Sequence, residues 1–413
     1  LPGKAQGAMA GDAWVGIYKS FDGGESWVTS LIPGFPQDQS AEGTASPLKQ
    51  FSTAADPIVR AGTNGLFYFS GMAFNRDETK GGGSIFLARF IDNNNVEDLT
   101  KGEPIKYLDT RMIDVGTSGQ FIDMPRIAAD IPRGTGTMTI DGQTIPRGNV
   151  YCAYTVFLGN TDKNIRSRIL FRRSTDCGAT WDSAVKISES QHIIQGATFA
   201  IDPRNGTIYI AYRRFLHPSQ TDSIVIVRST DFGQSFSSPF VIANINPFDQ
   251  PATDVLGDDL VDPAGPSFRT NSYPTMAVDG GGIVYVAWTE RGHGPTGEAR
   301  IVMSTAQDGF GWTAPMPIAD TGGPNYQGHQ FMPSLAFSQG MLVLIWYDQR
   351  WDECPFGFGP WISDNMEIRH TIDVRCAQAE PGLSPVFEAS VQVSKYLWAL
   401  LPGTFDELEQ QQF

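Results

Sequence analysis

The chain has 413 residues, of which 44 are glycine and 27 are proline, and only 18% are charged. Its 30 basic and 45 acidic residues give a formal net charge of -15. This balance is typical of a folded protein with many tight turns, and it excludes a disordered chain, a coiled coil and a basic nucleic-acid-binding protein. The longest apolar run, residues 341–347, is too short to cross a bilayer, so no membrane span is predicted.

A two-strand unit recurs along the chain. Each copy reads Pro-x-apolar-Ala-x-Asp, then a turn that contains glycine, then apolar-Tyr-apolar-Ala-aromatic. Val, Ile and Tyr alternate with other residues at period two, which is typical of strands joined in a hairpin. The copies, of which the first and last are looser, lie at residues 57–71, 125–154, 199–212, 274–288 and 333–346.

A second pattern, Ser-x-Asp-x-Gly-x-x-aromatic, accompanies these hairpins. We expect the aspartate to accept hydrogen bonds from turn N–H groups, the glycine to supply a positive φ, and the aromatic ring to pack beneath the turn. A degenerate fourth copy lies at residues 304–312. The three regular copies are Ser20, Asp22, Gly24 and Trp27; Ser174, Asp176, Gly178 and Trp181; and Ser229, Asp231, Gly233 and Phe236.

These turns resemble the Asp boxes (BNR repeats) of sialidases and related β-propellers, over about residues 14–393. The resemblance implies an all-β, six-bladed propeller that forms a single domain over residues 1–413. Only five inner hairpins are visible, so we expect residues 20–27 to be the outer half of a sixth blade whose inner strands come from the C-terminus. Either the sequence stops before those closing strands, or residues 394–413 close the ring irregularly.

The resemblance also implies that ligands bind on the face opposite the Asp boxes, where the loops gather histidines and arginines. Recognition residues concentrate in such loops. Loops are also polar for no functional reason, and for any single residue that explanation stays open. The predicted ligand-binding residues are His192, Arg213, Arg214, His217, Arg291, His293 and His329.

A sialidase mechanism would need three arginines for the substrate carboxylate, a tyrosine nucleophile backed by glutamate, and an acid/base aspartate. The family's Arg-Ile-Pro stretch is missing; residues 126–128 read Arg-Ile-Ala, and Arg126 also fits an inner-strand residue that pairs with Asp123 or Asp130. An aromatic residue recurs at the place of Tyr347 throughout the repeat, which favours a structural role for it. The catalytic candidates are Arg126, Glu290, Tyr347, Asp348 and Arg350.

No cofactor is required by this chemistry. The insert at residues 244–273 is rich in carboxylates, which favour either a Ca²⁺ site or a solvated acidic loop. Its aspartates are Asp249, Asp254, Asp258, Asp259 and Asp262.

Two of the four cysteines are expected to meet. Cys152 lies early in the second strand of its blade, and Cys177 lies in the turn that follows the third. We therefore predict a Cys152–Cys177 disulfide, with isolated thiols as the alternative, and leave the pairing of Cys354 and Cys376 open. A disulfide favours an extracytoplasmic location, secreted or at the cell surface.

The sequence thus predicts an exported, sialidase-like propeller that recognises or processes carbohydrate; if it is an enzyme, it is a glycoside hydrolase of sialidase type. The alternative is a non-catalytic propeller that displays its loops to a protein partner in an extracellular assembly. Because the net charge is -15, an anionic sugar would need a local cluster of arginines.

Overall fold

The computed structural model describes residues 13–75, 83–92, 105–117, 119–159, 165–189, 192–215, 221–248, 270–294, 297–318, 328–350, 371–395 and 398–399. Within these ranges the regular secondary structure is almost entirely β. The exceptions are a five-residue helix, α1 (Ala41–Ala45), and a 3-10 turn at Pro47–Gln50.

The strands are distributed along the whole described chain. They are β1 (Gly16–Lys19), β2 (Val28–Leu31), β3 (Thr53–Ala61), β4 (Leu66–Phe74), β5 (Ser84–Ile91), β6 (Lys106–Val115), β7 (Gln120–Ala129), β8 (Thr137–Ile140), β9 (Gln143–Pro146), β10 (Val150–Leu158), β11 (Arg166–Ser174), β12 (Val185–Lys186), β13 (Ile193–Ile201), β14 (Ile208–Phe215), β15 (Ser223–Ser229), β16 (Phe240–Asn244), β17 (Thr275–Val278), β18 (Ile283–Glu290), β19 (Arg300–Gln307), β20 (Met316–Pro317), β21 (Gln330–Ser338), β22 (Met341–Asp348), β23 (Thr371–Ala379), β24 (Val391–Gln392) and β25 (Trp398–Ala399).

Five sheets have the four-stranded, up-and-down order of β-propeller blades. We number them in chain order: blade I is β3–β4–β5–β6, blade II is β7–β10–β11–β12, blade III is β13–β14–β15–β16, blade IV is β17–β18–β19–β20, and blade V is β21–β22–β23–β24. The β8–β9 hairpin is inserted between the first two strands of blade II. Each repeated hairpin of the sequence supplies the first two strands of one blade, so the chain is an all-β protein of propeller type.

The prediction of six blades is wrong: the described residues form five. Strands β1 and β2 pair with each other as a two-stranded sheet, and β25 pairs with β23 instead of adding inner strands to that sheet. The physical reason lies in the packing of the N-terminal hairpin. Val15, Ile17 and Ile32 are buried in one cluster with Phe69 and Phe86 of blade I. The apolar side chains of the hairpin therefore pack against blade I.

The chain divides into two compact units, which are described separately. The first holds Leu1–Ala197 and Ser229–Ser238, and the second holds Thr198–Arg228 and Pro239–Phe413. In the first unit, one apolar core joins blades I and II and a second lies between blade I and the N-terminal hairpin. In the second unit, one core contains residues of blades III and IV and another contains residues of blades IV and V. The predicted single domain over residues 1–413 stays a prediction.

The first strand of three blades carries the same irregularity. Asp56, Met124 and Met332 each have φ between 51° and 53° and each directly precede a proline. The pairing register shifts at each of these points. These are β-bulges, in which the proline needs no ladder partner and the following side chains are re-aimed. The proline of the sequence repeat therefore marks a bulge.

The three Ser-x-Asp-x-Gly turns share one hydrogen-bond network. The glycine N–H donates to the serine Oγ at 2.6 Å in the first turn, 2.9 Å in the second and 2.8 Å in the third. The aspartate accepts from a hydroxyl residue four positions on, which is Ser26, Thr180 or Ser235. This last hydroxyl was missed by the sequence analysis, although it recurs in all three copies.

The aromatic residue of each turn behaves differently. Trp181 packs against the core of the first unit, and the ring of Phe236 lies 4.7 Å from that of Phe171 in an edge-to-face contact. Trp27 is 58% exposed, and its indole N–H donates to the Gly24 carbonyl oxygen. Packing beneath the turn thus holds for two of the three.

Strong acid should loosen the first and third of these turns. Hydrogen bonds from Ser26 and Ser20 lower the pKa of Asp22 to about 2, and although burial opposes it, bonds from Ser235 and Ser229 lower the pKa of Asp231 to about 2. Because these values lie below the unfolded one, the stabilisation is complete above about pH 4 and is lost as the pH falls towards 2. An NMR titration of the aspartate carboxyl carbons should give midpoints near 2 for both residues. A midpoint near 4 would show that these bonds do not persist in solution.

The predicted Cys152–Cys177 disulfide is not formed. Both residues are buried free thiols, and Cys376 is a free thiol as well. The backbone N–H of Cys177 donates to the Gly148 carbonyl oxygen. Gly148 lies four residues before Cys152, so along an extended strand the two cysteines are about 13 Å apart, beyond the reach of a disulfide. Cys354 lies outside the described residues.

No helix in the described ranges is long and apolar enough to cross a membrane.

Candidate functional site

In the second unit, the second strands of blades IV and V end in the same arrangement. Trp288 is buried and its indole N–H donates to Glu290 Oε2 at 2.9 Å, while Trp346 donates in the same way to Asp348 Oδ2 at 2.8 Å. The recurrent aromatic of the sequence repeat therefore holds a carboxylate two residues further on. Glu290 and Asp348, two of the predicted catalytic residues, therefore occupy equivalent positions in blades IV and V.

Asp348 is buried and bound on both of its oxygens. Arg350 Nε donates to Oδ1 at 2.9 Å and Nη2 donates to Oδ2 at 2.8 Å, which is a bidentate ion pair. The backbone N–H of Arg350 adds a third bond to Oδ1 at 2.9 Å. Both predicted residues thus contact each other, and their arrangement is that of a structural ion pair.

A second buried carboxylate lies beside Asp348. Asp373 on β23 is the residue opposite Asp348 across the strand pair, and Arg375 Nη1 donates to its Oδ2 at 3.1 Å. Burial and the neighbouring charge of Asp348 raise the pKa of Asp373. The other oxygen, Oδ1, accepts no hydrogen bond from the described residues. Sequence analysis missed Asp373, which carries no motif and is identified only by the strand register.

Glu290 is more accessible than Asp348. Its side chain is 15% exposed and Oε1 lies 4.0 Å from Nε2 of His293, whose side chain is 26% exposed. The backbone N–H of Asn246 also donates to Oε1, at 3.3 Å. The guanidinium of Arg291 lies over the ring of Phe248, at 4.9 Å from its centroid. Glu290, Arg291 and His293, three of the predicted residues, thus lie near one another and are partly exposed to solvent.

His329 has an interior position. It is 1% exposed, its Nδ1 accepts a hydrogen bond from the Ala299 N–H at 2.9 Å, and its ring stacks on Phe248 at 4.4 Å. A neutral ring that accepts at Nδ1 carries its proton on Nε2. His329 therefore packs in the interior of the second unit, in contact with Ala299 and Phe248.

Among the described residues, the predicted tyrosine meets no carboxylate. Tyr347 is 38% exposed and its ring stacks on Phe331 at 5.7 Å. Adjacent residues of a strand point to opposite faces, so Tyr347 faces away from the buried Asp348. In the described part of the chain no hydrogen bond reaches the Tyr347 hydroxyl. The tyrosine–carboxylate pair of a sialidase mechanism is not assembled from these two residues.

The arginines of blade III are engaged within the blade. Arg213 is 1% exposed, forms an ion pair with Asp222, and lies 3.9 Å from the centroid of the Phe215 ring. Arg214 Nε donates to Ser223 Oγ at 3.1 Å. His217 lies outside the described residues. Arg213 therefore has the position of a core residue.

The first unit contains a different arrangement, formed by the first strands of blades I and II. Within the described ranges, Arg60 on β3 and Arg126 on β7 donate only to neighbouring backbone carbonyls, of Val59 at 2.9 Å and of Pro125 at 3.0 Å. Protein atoms crowd around Arg60 although it is solvent-exposed, and this desolvation together with the positive charge of Arg126 lowers the pKa of Arg60. Neither guanidinium forms an ion pair with any described residue.

Arg60 was missed by the sequence analysis. It lies three residues after Pro57, in the looser first copy of the repeat, while Arg126 directly follows Pro125 in the second copy. The two arginines thus lie at different positions of the repeat, and an alignment of the copies does not identify Arg60. His192, also in the first unit, contributes its backbone carbonyl oxygen to a bond from the Ser167 N–H.

No group of three metal-ligating side chains occurs among the residues that the structure describes. The acidic insert, with Asp249, Asp254, Asp258, Asp259 and Asp262, lies outside them, so the Ca²⁺ interpretation stays a prediction.

Comparison with known proteins gives likeness only at the level of solved structures. No family model and no curated protein matches the chain. It is similar to an α-L-arabinofuranosidase from Lactobacillus brevis, at 15% identity over 83% of this chain and 96% of that one, with a TM-score of 0.41. A Hadza microbial sialidase matches at 12% identity over 90% and 65% of the two chains, with a TM-score of 0.47. A mutant of NanB sialidase from Streptococcus pneumoniae matches at 9% identity over 88% and 64%, with a TM-score of 0.46. Likeness at this level assigns neither a family nor an activity to the chain.

Proposed function

We propose that this chain is an exported propeller of the Asp-box, sialidase-like type that binds acidic carbohydrate, with Arg60 and Arg126 as the groups that receive the sugar carboxylate. The observation that carries the proposal is the pair of guanidiniums on neighbouring first strands with no acidic partner in the described part of the chain.

Arg60 and Arg126 have no acidic partner among the described residues although the net charge of the chain is -15. Two other arginines of the first unit are paired: Arg89 binds Asp109 at 2.6 Å and Arg172 binds Asp114 at 2.9 Å. The positive charge of Arg126 contributes to lowering the pKa of Arg60, and a bound anion would offset that repulsion. A carboxylate accepts two parallel bonds from a guanidinium, which is the geometry that acidic sugars offer.

Hydrolysis would need a further group, and the accessible candidate in the second unit is Glu290. It is partly exposed, it has His293 at 4.0 Å, and it is free of the bidentate arginine that neutralises Asp348. A carboxylate of this kind can act as a general base or acid when a substrate reaches it. Turnover of sialosides or uronic-acid glycans that Glu290→Gln abolishes would extend the proposal from binding to catalysis.

Arg60→Ala and Arg126→Ala should each weaken the binding of sialosides or uronic-acid oligosaccharides by about tenfold or more, because each removes a charged hydrogen-bonding partner. Titration calorimetry at low salt measures the affinity, with neutral oligosaccharides of the same length for comparison. Arg111→Ala is the matched control, since Arg111 is a surface arginine of the same unit that already binds Asp109 at 2.7 Å. If no acidic glycan binds the wild-type chain, or if all three variants behave alike, the proposal is wrong.

Export is part of this proposal, and the two buried free thiols remove the disulfide argument for it. Fractionation of the producing cells tests it: the protein should be found in the medium or at the cell surface.

A second candidate, an interaction propeller, is favoured by one face of blade V. Ile345 and Tyr347 alternate along β22 and are 40% and 38% exposed, and Met332 at the bulge of the neighbouring β21 is 38% exposed. Contiguous exposed apolar side chains mark interaction surfaces more often than isolated ones do. If this candidate is right, Ile345→Lys should abolish the capture of a protein partner without affecting acidic-glycan binding.

A further inference from the structure

A cavity of about 350 Å³ lies in the first unit, away from Arg60 and Arg126. It opens between the N-terminal hairpin, the loop that leads into α1, and the edge of blade I. The volume is in the range of pockets that hold small molecules. Nothing in the proposed function uses it.

Most of the cavity wall is apolar or aromatic. Ile17, Phe35, Phe90 and Ile105 contribute to it, and Phe90 meets Tyr107 edge-to-face with 5.5 Å between ring centroids. Ile17, Phe90 and Ile105 are otherwise buried, at 7% exposure or less, so their positions are fixed by packing. A ligand with an apolar body can therefore bury it here without rearranging the wall.

The charge of the cavity is negative. Asp38 and Glu42 both line it, and in the described part of the chain its lining contains no arginine, lysine or histidine. Although burial opposes it, hydrogen bonds from the Ser40 hydroxyl and the Gly34 and Ser40 N–H groups lower the pKa of Asp38, so this carboxylate is ionised near neutral pH. The Lys49 ammonium donates to the carbonyl oxygens of Phe35, Pro36 and Asp38, and its charge also helps to lower the pKa of Asp38, so Asp38 is partly neutralised and Glu42 carries the uncompensated charge.

Glu42 is the carboxylate left for a ligand. It is exposed at the mouth of the cavity and forms no hydrogen bond or ion pair with any residue that the structure describes. Asp38, by contrast, has its oxygens engaged by Gly34 and Ser40. Two carboxylates beside aromatic rings attract a cation both by charge and through the negative faces of the rings.

We propose that this cavity binds a small organic cation, a protonated primary amine carried on an apolar stem or a sugar ring. The amine would be received by Glu42 in the field of Asp38, and its body would lie against Phe35 and the Phe90–Tyr107 pair. The cavity rejects anions for the same reason, so it is distinct from the arginine pair in both place and ligand charge. The net charge of -15 favours the approach of such a cation at low salt.

The test is a titration of the full chain with hexylamine and with glucosamine, followed by calorimetry or protein NMR. The matched neutral probes are 1-hexanol and glucose, and glucuronate is the anionic one. Both amines should bind at least about tenfold more tightly than their neutral analogues, and the difference should shrink at high salt. The affinities of hexylamine and glucosamine, compared with each other, show whether the cavity prefers an amine on an apolar stem or one on a sugar ring.

Glu42→Gln should weaken amine binding by about tenfold, because it removes one charged hydrogen bond from an exposed site and disturbs no internal contact. Phe35→Ala should weaken it too, through the lost apolar wall. Glu25→Gln is the matched control: an exposed acid in the same unit that does not line the cavity, and it should change nothing. Equal binding of the neutral analogues, no binding of either amine, or amine binding that Glu42→Gln leaves unchanged would overturn the proposal. Because Arg60→Ala and Arg126→Ala should not affect amine binding, its failure is separate from that of the proposed function.

Discussion

Asp348→Asn should lower the free energy of unfolding by about 3–5 kcal/mol, the range found when one partner of a buried ion pair is removed. Both oxygens of Asp348 are engaged, by Arg350 on two sides and by the Trp346 indole, and the side chain is fully buried. An amide in its place keeps the volume but leaves the Arg350 guanidinium without its anion. The loss should appear in urea denaturation followed by tryptophan fluorescence.

Two neighbouring carboxylates supply the controls. Glu290→Gln changes the equivalent position in blade IV, which is partly exposed and has no bidentate arginine, so we expect a loss of about 1 kcal/mol or less. Asp373→Asn should cost less than Asp348→Asn, because Arg375 Nη1 makes one bond to Asp373 Oδ2 while Oδ1 accepts none from the described residues, and because burial and the charge of Asp348 raise the pKa of Asp373. A stability loss as small in Asp348→Asn as in Glu290→Gln would show that the ion pair is not structural, and would return Asp348 to the catalytic candidates.

The repeat made most of the fold predictable from the sequence. Alternating Val, Ile and Tyr with a proline and a turn glycine located the inner hairpin of every blade, since such strands bury one face against a neighbour and must turn tightly. The number of blades was not predictable in the same way. Residues 20–27 carry the motif of an outer hairpin, but Ile17 and Ile32 bury themselves against Phe69 of blade I, and no motif records such tertiary packing.

The candidate site was less predictable, because residue type does not reveal whether a charge is already paired. Arg213 was expected to bind a ligand, yet it forms an ion pair with Asp222, nine residues away, across a loop whose path the sequence does not fix. Arg60 shows the opposite error: it lies in a looser copy of the repeat and has no carboxylate partner among the described residues. Motif spacing locates the strand on which a charge lies, and only the register of neighbouring strands shows what it meets.

The three Ser-x-Asp-x-Gly turns offer a comparison in which the sequence motif is constant and the packing varies. The glycines at 24 and 178 have φ values of 99° and 79°, a region that disfavours any residue with a side chain. A Cβ added at Gly24 would meet only the Trp27 ring, at 3.8 Å, whereas one at Gly178 would lie 2.4 Å from Leu87 Cδ2 and 3.4 Å from Arg89 Cδ. Leu87 is fully buried in the core of blades I and II, so it has no room to withdraw.

Gly24→Ala should therefore lower the free energy of unfolding by about 1 kcal/mol, from backbone strain alone. Gly178→Ala should lower it by about 3 kcal/mol, because the same strain is joined by overpacking of the core. Leu87→Ala in the Gly178→Ala background separates the two contributions: it removes the atom in contact, so the two changes together should destabilise less than the sum of their separate effects. Equal losses for the two glycine variants would mean that backbone strain in the turn, and not contact between the turn and Leu87 of blade I, sets the loss of stability.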